Sequence, residues 1–139
     1  MPIRVSASTD LGLVLVVFDG VVTADELERD LVPLIDQPGI ALLRSMLLDM
    51  TTAARGDAPS ELIRRYARHV GERIDEQIEF GSKVALVATN PEFFGLSRMY
   101  QTLRSDSPVA VEIFHSRGEA EAWLELPDDY AAQLTDIVR

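Results

Sequence analysis

The chain has 139 residues, 47% of them hydrophobic and 26% charged, proportions that fit one globular domain spanning residues 1–139 and argue against disorder. A formal net charge of −10 repels a phosphate backbone, which argues against nucleic-acid binding and against adhesion to an anionic membrane. The absence of cysteine excludes disulfides, thiolate metal sites and cysteine nucleophiles. No apolar run approaches the roughly 20 residues of a membrane-spanning helix. The opening "MPIRVSASTD" lacks the basic start and apolar core of a signal peptide, so a cytoplasmic location is expected.

Residues 3–8 and 13–18 are rich in Val, Ile and Leu and flank Asp10 and Gly12, which predicts an antiparallel hairpin. Thr23 and Glu26 form a capping box that opens a helix carrying Leu27, Leu31, Leu34 and Ile35 on one face, and "DQPGI" stops it. "SMLLDM" (45–50) has the unbroken apolar character of a strand buried on both faces. The polar "TTAARGDAP" reads as a loop leading to the longest helix, about 59–79, with an apolar stripe of Ile63, Tyr66, Val70, Ile74 and Ile78. Its arginines, in "RRYARHVGER", form a solvated face.

"KVALVAT" (83–89) is a second buried strand, and Asn90-Pro91 starts the next helix, which stops before Pro108. "VAVEIF" (109–114) is the last expected strand. Ser116 and Glu119 cap a helix with Ala120, Trp123 and Leu124 inward, and residues 128–138 are expected to add a short helix with Tyr130, Leu134 and Ile137 on a stripe. Strands alternating with helices predict α/β architecture with a mixed sheet.

"VVFDGVVTADEL" raises the question of a phosphatase loop. That chemistry needs Asp-x-Asp, one aspartate to attack phosphorus and the next to protonate the leaving group. Here Val17 stands where the nucleophile belongs and Asp19 in the second position, so the Asp19-Gly20 pair is expected to be a turn.

The segments "FDGVVTADELERDLVPLID", "LLDM", "KVALVATNPEFFGLSRMYQTL" and "VEIFHSRGEAEAWLEL" resemble the SpoIIAA-like family of small bacterial proteins, related to STAS and CRAL-TRIO domains. The resemblance covers roughly residues 12–126, and Phe94-Gly95 with Arg98-Met99-Tyr100 is its most specific part. It implies a right-handed β-α superhelix, a mixed sheet of about five strands with helices mainly on one side. The implied roles are regulatory protein binding and carriage of apolar ligands. In the phosphorylation-switched relatives a helix opens on Asp-Ser-Ser-Gly. Asp57 matches the Asp, but Ala58 and Pro59 stand in place of the two serines, and Ser60 lies two residues late with no glycine after it. Ser60 is thus a doubtful phosphorylation site.

No metal-ligand spacing surrounds His69 or His115, no Gly-rich phosphate loop occurs, and no serine sits in a nucleophile elbow. No catalytic residue, metal or cofactor is expected. Ligands of open α/β sheets gather beyond the carboxyl ends of parallel strands, here near Asp49, Thr89, Asn90, Phe114 and His115. Phe94 and Arg98 share a helical face, and Gly95 costs about 1 kcal/mol against Ala, as though something approaches the backbone. Two readings stay open for Asn90, Phe93, Phe94, Gly95 and Arg98. One is a cleft with Arg98 holding an anionic head group. The other is ordinary packing with Arg98 paired to Glu92 or Glu112. The expected function is a non-enzymatic binding module for a protein partner or for itself as a homodimer. The alternative is a carrier of a small amphipathic, lipid-like ligand near Phe94 and Arg98.

Overall fold

The computed structural model describes residues 3–36, 44–55, 60–74 and 82–136. A hairpin of β1 (Ile3–Ser8) and β2 (Leu13–Val22) leads into two short helices, α1 (Ala24–Asp30) and α2 (Val32–Ile35). Then come β3 (Ser45–Arg55), α3 (Ser60–Ile74), β4 (Lys83–Val87), α4 (Pro91–Leu103), β5 (Ala110–Phe114) and α5 (Arg117–Trp123). A single 3-10 turn, Tyr130–Gln133, precedes a two-residue strand, β6 (Thr135–Asp136). The strands form one mixed sheet in the order β5-β4-β3-β2-β1-β6, six strands where about five are expected. β2 to β5 run parallel, while β1 is antiparallel to both β2 and β6.

Successive side chains of a strand point to opposite faces, and that alternation builds two cores. Val14, Val16, Phe18, Leu48, Met50 and Leu86 join residues of α1 to α4 in the larger core. Leu13, Leu15, Leu47, Ala85 and Val87 meet Ala120, Leu124 and Tyr130 in the smaller one. The central strands are therefore covered on both sides, as their near-continuous apolar runs require. Most helices do lie on one side, and α5 alone among the described helices packs on the other.

β3 does not end at Met50. It runs on to Arg55, paired with β2 from Asp19↔Thr52 to Val22↔Arg55, so the expected polar loop is strand over 51–55, and 56–59 lie outside the described residues. A bulge makes the extension possible: Met50 and Thr51 stand against the single residue Phe18. Asp49 Oδ1 accepts hydrogen bonds from the Thr51 N–H (2.9 Å) and hydroxyl (2.7 Å), and the Thr52 hydroxyl donates to the Phe18 carbonyl (3.0 Å). Side chains thus take up backbone groups that the interrupted ladder leaves open. Asp19-Gly20 accordingly lies within β2 and is no turn, although Gly20 does take a positive φ of 72° that glycine tolerates best.

Thr23 caps α1 by accepting from the Glu26 N–H at 3.3 Å. The helix expected to continue to Ile35 breaks at Leu31, because Pro33 has no N–H to offer the preceding turn. The helix expected over 128–138 is also absent among the described residues. After the 3-10 turn, Leu134 is extended, and Thr135 and Asp136 pair with Ala7 and Ser6. An isolated turn of helix is marginal, whereas the outer edge of β1 offers unpaired backbone groups. The self-association stripe therefore does not form a helical face. Tyr130 is buried, Leu134 packs against the smaller core, and Ile137 lies outside the described residues.

Candidate functional site

A cavity of about 70 Å³ lies in the larger core, between the sheet and helices α1, α3 and α4. Its floor is Phe18 from β2 with Met46, Leu48 and Met50 from β3. Leu27 and Leu31 close the α1 side, and Ile63 and Tyr66 of α3 form the wall opposite the sheet. α4 contributes Phe93, Ser97 and Tyr100, three residues spaced to share one helical face. Phe93 meets Phe18 edge-to-face with ring centroids 6.4 Å apart, and Tyr66 packs on Tyr100 at 5.7 Å. Burial pushes the Tyr66 hydroxyl pKa well above the usual tyrosine value, so this wall is uncharged at neutral pH. Two methionines on the floor make it adaptable, since an unbranched thioether fills irregular space at little cost.

α3 is held over this chamber partly by charge. Arg65 pairs with Glu28 of α1, and His69 Nε2 and Arg73 Nε lie 3.0 and 3.4 Å from Asp36 Oδ1, just beyond α2. These are largely exposed contacts, and such pairs contribute little each in water.

A second polar constellation sits on the opposite face, beside the bulge of β3. The Asp49 side chain is 8% exposed, and its Oδ2 accepts from Arg117 Nη1 at 3.2 Å. Arg117 Nε and Nη2 donate to the Tyr130 hydroxyl at 3.0 and 2.8 Å, and that hydroxyl donates to Glu121. Burial, followed by the bond to Glu121, raises the Tyr130 pKa, so the phenol keeps its proton. Every member of the group has a partner, as a buried polar network must, and the arrangement fastens α5 and the 3-10 turn to the bulged strand. Asp49 is prominent in the sequence as a strand-end residue, but Arg117 is not. Its signal is its position: a cation in the first turn of a helix opposes the helix dipole, and so calls for a carboxylate nearby.

No family model matches the chain, and no curated protein matches it. A solved structure does: an uncharacterised protein of the DUF3478 family with a SpoIIAA-like fold, from Shewanella loihica PV-4. It aligns over 81% of this chain and 83% of its own, with a TM-score of 0.51 and 15% sequence identity. The fold is SpoIIAA-like. At 15% identity the likeness establishes architecture and carries no chemistry across.

Within this SpoIIAA-like frame, the residues singled out in the sequence separate. Phe93 is buried and lines the chamber, whereas Asn90, Phe94, Gly95 and Arg98 do not. Asn90 caps α4, its Oδ1 accepting from the Glu92 N–H at 2.8 Å. Phe94 is half-buried at the rim of the larger core and stacks on His115, with centroids 5.0 Å apart and planes 3° from parallel. Arg98 is exposed and forms no ion pair with Glu92, Glu112 or any other described residue. A Cβ built on Gly95 would meet nothing within 4 Å, so the close approach expected there is not made among the described residues. Ser60 is the exposed first residue of α3, and Asp57 to Pro59 lie outside the described residues. Among the described residues no cluster of His, Asp and Glu is placed to hold a metal ion, and no helix is long and apolar enough to cross a membrane.

Proposed function

We propose that this protein is a non-enzymatic binding module that holds a small apolar molecule between its sheet and helices α1, α3 and α4. The observation that carries the reading is the chamber itself. Protein interiors pack at the density of organic crystals, yet this core keeps about 70 Å³ open under a helix fastened by exposed ion pairs. Binding sites for small molecules are typically concave and apolar with few polar groups, and this lining fits that description. The Asp49–Arg117 network is better suited to holding structure than to transferring protons, because its donors and acceptors already satisfy one another.

Native mass spectrometry of freshly purified protein tests the reading directly. A co-purifying small mass that perturbs the methyl signals of Met46, Met50 and Ile63 supports it. Turnover in a broad hydrolase screen, abolished by Asp49→Asn, would replace it with an enzyme. A protein partner is the second reading. It is favoured by the stacked Phe94–His115 pair one turn from exposed Arg98, since aromatic and arginine side chains are enriched at interfaces. Loss of a co-purifying protein on Phe94→Ala with Arg98→Ala would support it.

A further inference from the structure

Resting on the ligand-binding reading just given, we propose that the chamber selects an uncharged apolar molecule bearing a single hydrogen-bonding group, which pairs with the Ser97 hydroxyl. Two observations converge on this ligand class. None of the described residues lining the chamber carries a charge, and Arg98, the cation nearest in sequence on α4, is exposed and outside the lining. A carboxylate or phosphate inside would therefore lose its hydration with no charged side chain of the described lining to meet it. Arg104, the buried cation whose charge reaches Tyr66, lies outside the lining and donates to Ser107. The second observation concerns the hydroxyl. Ser97 is 4% exposed and lines the chamber, and none of the side-chain hydrogen bonds found among the described residues uses its hydroxyl, which is not among the fully enclosed polar atoms.

A mid-helix serine ordinarily bonds back to the carbonyl four residues earlier, or is satisfied in some other way, because a buried polar group without a partner is destabilising. Here the group opens on the cavity instead. A ligand hydroxyl or carbonyl would satisfy it, while the Phe18, Phe93 and Tyr66 rings and the two methionines accept the apolar body. The chamber is smaller than the roughly 150 Å³ cavity known to bind benzene. Entry of a single aromatic ring thus relies on adjustment of Met46 and Met50 on the floor and of α3 above.

Phenol, toluene and benzoate make a size-matched probe series for the full-length protein, followed by methyl chemical shifts and by thermal stabilisation. Phenol is expected to bind the chamber roughly fivefold more tightly than toluene, the effect of one additional hydrogen bond, and benzoate is expected to leave the chamber methyls unmoved. In Ser97→Ala, phenol should fall to the toluene level while toluene is unchanged. Equal binding of phenol and toluene to the wild type, or a phenol preference that survives Ser97→Ala, would overturn the role of Ser97 while leaving an apolar site standing. Benzoate binding as tightly as phenol would overturn charge exclusion. Failure of all three probes to perturb any chamber residue would overturn the ligand-binding reading itself, and with it this inference.

Discussion

Replacing Arg117 by alanine should loosen α5 and the 3-10 turn from the bulged strand. The guanidinium supplies a bond to Asp49 Oδ2 at 3.2 Å and two to the Tyr130 hydroxyl at 3.0 and 2.8 Å. Its removal strands Asp49 Oδ2 in a side chain that is 8% exposed, while Oδ1 keeps its two bonds from Thr51. Breaking a fully buried pair costs about 3–5 kcal/mol. Arg117 is itself 34% exposed, so water can reach part of the vacated site and the expected loss is about 2–3 kcal/mol. Against a total stability of roughly 5–15 kcal/mol that is a large fraction. Urea unfolding followed by circular dichroism measures it, with an unchanged slope confirming that the same surface is exposed. Asp49→Asn keeps the Thr51 contacts and removes the charge that Arg117 answers. The double variant should therefore be more stable than the two single losses predict, by at least about 1 kcal/mol of coupling. A loss below about 0.5 kcal/mol for Arg117→Ala, or strict additivity in the cycle, would show that the network is incidental to stability.

Alkaline pH should weaken the fold through its buried phenols. Burial raises the pKa of both Tyr66 and Tyr130 above the unfolded value near 10. Stability therefore holds below pH 10 and falls as pH rises beyond it, by up to about 1.4 kcal/mol per pH unit for each group. Tyr66→Phe should remove about half of that slope in chemical denaturation run at about pH 9, 10 and 11. Phe93→Ala deletes a buried ring and its edge-to-face partner contact with Phe18, and should cost about 4 kcal/mol in urea titration. The two exposed glycines of β2 and α4 should respond with opposite signs. Gly20→Ala forces a side chain into φ 72° and should destabilise by about 1–2 kcal/mol. Gly95→Ala meets nothing within 4 Å in a helix and should stabilise by up to about 1 kcal/mol in the same thermal melts.

The elements most legible in the sequence are those in which local chemistry and long-range packing agree. Thr23, Asn90 and Ser116 all cap helices as their spacing predicts, because a cap is decided within a few residues. The apolar runs of β2, β3 and β4 are buried as expected, since no polar face competes. Legibility fails where a distant partner decides. Nothing in "TTAAR" announces a strand; it becomes one because β2 offers backbone groups beside it and Asp49 organises the bulge. The C-terminal segment has a helical stripe, but the edge of β1 captures it as β6. For the site, Phe93 is recoverable as one of an aromatic pair, while its neighbour Phe94 sits at the rim of the core against His115. Ser97 carries no signal of its own, because a single serine among apolar neighbours acquires meaning only once a cavity faces it.

The two-against-one pairing opposite Phe18 also changes the parity of β3. Met46, Leu48 and Met50 point toward the helical layer at even positions, and past the irregularity Ala53 does so at an odd one. A single-codon deletion at Thr51 would therefore remove the supernumerary residue and regularise the strand, leaving Thr52 opposite Asp19 and Ala53 inward, whereas a deletion elsewhere within β3 would turn over part of the strand. The bulge is thus the place in the described strand where a residue can be lost without reversing its neighbours, at the cost of the two Thr51 bonds to Asp49.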